Sequence, residues 1–146
     1  MKLTDLHEMT MAAGNMSEQL KRYFDIYIQE QDTFDHVGDI ENIKVLKRDE
    51  IYLLISNTTP VAFYQVLNHS PTAILQNAYV DGDFRGQNTT AKFLWFLKRN
   101  EGFKQIQMGD IQSEDMVAVI KKIAHRFNTT WRRGDEIEPY DPTTTD

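Results

Sequence analysis

The chain has 146 residues, with 16 Lys and Arg against 22 Asp and Glu, a formal charge of −6 and no cysteine. The absence of thiols excludes disulfides, thiolate zinc sites, iron–sulfur clusters and cysteine nucleophiles. The acidic balance argues against a nucleic-acid binder that relies on a basic face. A hydrophobic share of 40% at this length is enough for one core burying roughly two-thirds of the unfolded surface, so a single domain over residues 1–140 with a polar tail at 141–146 is expected.

In chain order, the first forty residues read as helical. Leu3, Leu6 and Met9 recur every three residues, and Gly14-Asn15 would close that helix. Leu20, Tyr23, Phe24 and Tyr27 then fall on one helical stripe, which Asp32 to Asp39 would end. The period changes at Asn42. Ile43–Leu46, Ile51–Ile55 and Val61–Leu67 are short β-branched and aromatic runs, and Ser56-Asn57-Thr58-Thr59-Pro60 makes a hairpin connection between the last two. Whether the Ile43 run joins the sheet stays open. Ala73–Val80 is apolar on both alternating faces apart from Gln76 and Asn77, as in a central strand.

Thr90–Lys98 carries a wide apolar surface at helical spacing and stops before Gly102. Lys104–Met108 alternates as a strand. Ser113 offers an N-cap for a helix striped by Met116, Ile120, Ile123 and Phe127, and Thr129 to Glu138 reads as a closing hairpin. The sum is a mixed-sheet α/β domain containing three or four antiparallel strands.

The chemistry concentrates after the central strand. Asp81-Gly82-Asp83-Phe84-Arg85-Gly86-Gln87-Asn88-Thr89-Thr90 runs from Val80 into a helix, where unpaired backbone N–H groups favour an anion. Arg85 adds a charge, Gly86 permits close backbone approach, and Thr89 and Thr90 offer hydroxyls. The plainer alternative is an ordinary strand–helix turn.

Val80, followed five residues later by Arg85-Gly86-Gln87-Asn88-Thr89-Thr90, resembles the acetyl-CoA loop of the GCN5-related N-acetyltransferases (GNAT). Val80, Arg85 and Gly86 match its pattern, while Asn88 and Thr90 stand at its two defining glycines. Left-handed geometry is tolerated by Asn, whereas β-branched Thr90 is expected to crowd a pyrophosphate. The resemblance implies a GNAT-like, mostly antiparallel sheet with a central strand–loop–helix acyl-CoA site formed by Val80, Arg85, Gly86, Gln87, Asn88, Thr89 and Thr90. It also implies acetyl-CoA as co-substrate and a small-molecule or protein amine as acceptor.

Ala118 and Phe127 keep a further family spacing. Lys121, Lys122 and Arg126 replace the Leu, acid Tyr and Gly of that segment, so the usual proton donor to the departing thiolate is missing. In this the chain is similar to degenerate acetyltransferase-like proteins of tailed bacteriophages, including internal virion proteins, and a non-catalytic interaction role is the second reading. Asp81 and Asp110 are the acids best placed for a base, and Tyr79 and Tyr140 could substitute as acid. Their plainer readings are solvated carboxylates, a packed ring and a tail residue, so no catalytic residue is assigned.

His7, His36, His69 and His125 lack metal-ligand spacing, and no P-loop or nucleophile-elbow motif occurs. Without an apolar leader or an 18-residue apolar run, neither export nor membrane spanning is expected. A cytoplasmic protein is the expectation, or a virion component if phage-encoded, with a homo-oligomer or protein partner left open.

Overall fold

In the computed structural model of the chain, which describes residues 16–109 and the backbone of 136–137, helix α1 spans Met16–Gln29. Its buried stripe is Gln19, Leu20, Tyr23 and Ile26. Phe24 and Tyr27 lie half-buried at its flank, so the packed face is rotated from the purely apolar one expected. Gln19 is drawn inside because it shares the helix side of Tyr23, one turn away.

A 3-10 turn at Gln31–Thr33 follows, and the chain enters β1, Asp35–Ile40. This corrects the reading of residues 32–39 as the close of a helical region. The Asp-His-Val-Gly-Asp-Ile segment lacks an apolar run because it is a sheet edge, largely exposed and bulged between His36 and Gly38. Polar residues and a bulge suit an edge strand. Pairing with its neighbour, rather than intrinsic propensity, makes it a strand.

The next strands are β2 (Ile43–Arg48), β3 (Ile51–Ser56), β4 (Thr59–His69) and β5 (Thr72–Val80). β1 to β5 form one antiparallel meander, so the antiparallel run has five strands rather than three or four, and the Ile43 run does join the sheet. The first three hairpins close between Ile40 and Ile43, Arg48 and Ile51, and Ser56 and Thr59. In each, the first connecting residue, Glu41, Asp49 or Asn57, has φ +56°.

β5 leads through a 3-10 turn at Gly82–Phe84 into α2 (Thr89–Arg99), which returns the chain to β6 (Gln105–Met108) parallel to β5. Gly102 follows the helix at φ +76°, as its stop role requires. Glu136–Ile137, β7, pairs antiparallel with β6. Among the described residues the result is a mixed sheet of seven strands ordered β1 to β7. Meander, strand–loop–helix unit, parallel strand and closing antiparallel strand follow the order implied by the GNAT resemblance.

The sheet is buried on both faces. Leu20, Tyr23 and Ile26 of α1 pack with Leu46, Leu53, Ile55 and Phe63 on one side, and Phe93, Leu94 and Leu97 of α2 pack with Tyr52, Leu54, Tyr64 and Leu75 on the other. Among the described residues no helix is long and apolar enough to cross a membrane. The expected helices at residues 3–9 and 116–127, Asp110, Trp131, Tyr140 and the 141–146 tail lie outside the described residues, as do Lys121, Lys122 and Arg126.

Candidate functional site

β5 is interrupted where its sequence turns polar. Gln65 faces Asn77 across the β4–β5 ladder while Val66 faces Leu75, which leaves Gln76 as the extra residue of a bulge. A bulge reverses the alternation locally and bends the strand. Leu75 and Ala78 consequently both join the α2-side core, while Tyr79 packs toward α1. The parallel ladder with β6 ends at the same level. Its pairs run from Thr72 to Leu75, and the Gly109 amide donates to the Leu75 carbonyl at 2.8 Å. A Cβ on Gly109 would collide with Gln76 Oε1, so a larger residue there requires the Gln76 side chain to move. Among the described residues, no strand pairs with β5 from Gln76 to Val80 on that side.

Beyond β5, the Asp81 amide donates to the Val61 carbonyl at 2.8 Å and its carboxylate accepts from the Asp83 amide at 3.2 Å. The Phe84 and Arg85 amides close onto the carbonyls of Asp81 and Gly82. Arg85 folds back over the strand end: its Nε donates to the Val80 carbonyl at 3.0 Å, and its guanidinium stands 5.4 Å from the Tyr79 ring centre. Gly86 and Asn88 both take positive φ, +80° and +59°. Asn88, at the N-cap, thus reaches the left-handed region expected of it, although its side chain makes no capping hydrogen bond.

The first backbone bond of α2 runs from the Lys92 amide to the Asn88 carbonyl, 2.9 Å. The amides of residues 86–91 have no backbone acceptor among the described residues, which leaves the N-terminal donors of a helix facing the loop. Arg85, Gly86, Gln87 and Asn88 are exposed, whereas Thr89 and Thr90 are 6% and 2% exposed.

The two threonines correct the sequence reading. The Thr89 hydroxyl donates to the Phe84 carbonyl at 3.3 Å, and the Thr90 hydroxyl meets the Tyr64 hydroxyl at 2.9 Å inside the core. Neither is turned outward as a ligand donor. The β-branched Thr90 side chain therefore does not crowd the loop; helix phase carries it inward.

Tyr64 was not singled out by sequence. It is fully buried on β4 and its ring stacks on Phe93 with centres 4.0 Å apart and planes at 5°. Burial raises its pKa, and the Thr90 hydroxyl only partly opposes this. A tyrosine inside an apolar run signals a hydroxyl that needs a partner, though the partner lies 26 residues on. Of the candidate acids, Asp81 has its carboxylate engaged in the turn, and the Tyr79 hydroxyl has no hydrogen-bond partner among the described residues. Among those residues no cluster of three metal-ligating side chains occurs.

No family model matches the chain, and no curated protein matches it. Among solved structures, it is similar to YhhK from E. coli, a proposed N-acetyl transferase determined in solution bound to coenzyme A, with 19% identity, a TM-score of 0.49, and coverage of 86% of this chain and 92% of that one.

Proposed function

We propose that the chain is a GNAT-like acyltransferase that transfers an acetyl group from acetyl-CoA to an amine. The observation that carries this reading is the loop itself: the amides of residues 86–91 stand without backbone acceptors at the start of α2, the Thr90 side chain is turned away into the core, and β5 runs on past β6 beside them. Amide donors at a helix start suit a pyrophosphate, and an unpaired strand edge suits the amide-bearing pantetheine arm. Val80, Arg85, Gly86, Gln87 and Asn88 form the approach, with Thr89 and Thr90 supplying backbone only.

In the reaction the acceptor nitrogen attacks the thioester carbonyl carbon, the C–S bond breaks, and the thiolate of CoA leaves. The nitrogen surrenders one proton and the thiolate takes one up. The acceptor belongs to the amines, small or protein-borne.

Titration calorimetry with acetyl-CoA tests the reading, with a melting scan beside it. At a concentration about 100-fold above Kd, binding adds about 2.7 kcal/mol and raises Tm by on the order of 5–10 °C. Arg85→Glu is expected to remove most of that shift. Absence of both heat and shift in the native chain would refute the proposal.

A second reading, a GNAT-fold binding protein without turnover, is favoured by one observation. The Asp81 carboxylate and the Thr89 and Thr90 hydroxyls at the loop are all committed to internal hydrogen bonds. Acetyl-CoA turnover with any member of an amine panel would exclude it.

A further inference from the structure

The core beneath α2 holds a polar pair where an apolar one would pack. Tyr64 and Thr90 are 0% and 2% exposed, and their hydroxyls meet at 2.9 Å. Ala78 lies directly opposite Tyr64 in the ladder and Phe93 stacks on its ring, within the same apolar core. Replacing both members of a buried hydrogen bond by apolar groups of the same shape is close to neutral for stability. What a hydroxyl pair adds is direction, since it is satisfied in one relative placement and a methyl–ring contact in many.

That placement joins two elements of the site. Tyr64 lies opposite Ala78 in the β4–β5 ladder, two residues before the end of β5. Thr90 is the second residue of α2. The bond therefore fixes the height and rotation of the first helical turn over the strand. Stacking of Tyr64 on Phe93, one turn further along the same helix, makes a second anchor that restrains the ring itself. The loop between, Asp81 to Asn88, has its own turn bonds but none that joins residues 86–88 to the sheet among the described residues.

We infer that Tyr64 and Thr90 are positioning residues: their buried hydroxyl pair sets the first turn of α2 relative to β5, and through it the placement of the amides that receive the pyrophosphate of CoA. The inference rests on the acyl-CoA reading for its ligand, but not for its geometry.

The test uses the full chain carrying Tyr64→Phe and Thr90→Val together, with Thr90→Ser as the conservative control. The double variant is expected to keep Tm within a few degrees of native, because both hydroxyls leave together. Exchange of the amides of residues 92–94, which close the first turn, is expected to accelerate about tenfold or more. Kd for CoA is expected to rise about tenfold, while that for pantetheine, which lacks the pyrophosphate, stays unchanged. Thr90→Ser restores native exchange and affinity.

Native exchange in the folded double variant would overturn the inference, and so would faster exchange with unaltered CoA affinity. Equal loss of CoA and pantetheine binding would also overturn it, since it would mean a general loosening. If the native chain binds no CoA, the acyl-CoA reading fails on its own, and the exchange comparison alone upholds or overturns the positioning.

Discussion

The two faces of the sheet treat buried polarity in opposite ways. Beneath α2, among the described residues, the buried tyrosine hydroxyls are answered: Tyr64 by Thr90, and Tyr52 by Glu101, whose carboxylate accepts from the Tyr52 hydroxyl at 2.5 Å and lies 3.7 Å from Lys47 Nζ. Beneath α1, Gln65 reaches Glu50 at 2.6 Å, yet Gln19 Oε1 and Asn77 Oδ1 are buried with no donor among the described residues. An unanswered buried carbonyl costs roughly 1–3 kcal/mol. The α2 face is thus specified by direction as well as by volume, whereas the α1 face is held by apolar contact such as the edge-on meeting of Tyr23 and Phe63, 4.8 Å between centres. The candidate site sits on the specified side.

Phe93→Ala gives the most severe break. Phe93 is fully buried and contacts both answered tyrosines, at 4.0 Å from Tyr64 and 5.2 Å from Tyr52. Its removal is expected to cost about 3–5 kcal/mol, read from denaturant unfolding. A loss below 1 kcal/mol would show that the α2 face is not tightly specified.

Gly38→Val comes next. A Cβ there would stand 2.8 Å from Phe96 Cε2, so the buried Phe96 ring must give way. A loss of on the order of 2 kcal/mol is expected, from the same unfolding measurement.

Alkali tests the answered tyrosines directly. Burial, joined by the Glu101 carboxylate, raises the Tyr52 pKa, and burial raises that of Tyr64, above the ordinary 10.0. The folded chain holds these protons after the unfolded chain has released them, so the stability they contribute is complete below pH 10 and is lost as pH rises beyond it. The slope is at most about 1.4 kcal/mol per pH unit for each group. Melting curves from pH 9 to 11 should show a shallower decline for Tyr64→Phe than for the native chain, and identical slopes would contradict the burial of the Tyr64 hydroxyl.

The smallest effect should have the opposite sign. Gln19→Met replaces an amide whose carbonyl has no donor among the described residues by an apolar side chain of similar length, and Tm is expected to hold or rise by an amount equivalent to about 1 kcal/mol. A clear destabilisation would mean that Gln19 has a partner in solution.

Much of the architecture was legible because the runs at Ile51, Val61, Ala73 and Thr90 are apolar enough to be strands and a helix in any context. The exceptions share a cause. Asp35–Ile40 is polar because it is an edge, and edge status is a property of the assembled sheet. Gln19 enters the packed stripe in place of Tyr27 because the sheet, not the helix, chooses which side is covered. At the loop, the left-handed Asn88 and the stop at Gly102 follow from residue chemistry. The inward turn of Thr90 does not, because its partner on β4 is fixed only when the sheet and α2 have met.

The two-residue connections opened by Glu41, Asp49 and Asn57 also bear on how the chain reaches this structure. They keep every pairing in the first four strands close along the chain, so closing each hairpin costs little chain entropy. The β5–β6 pairing, by contrast, must bring Thr72 to Gln105 across the whole of α2. Local contacts form faster than distant ones. The meander is accordingly expected to form ahead of the β5–β6 pairing, which has the whole strand–loop–helix segment to bridge.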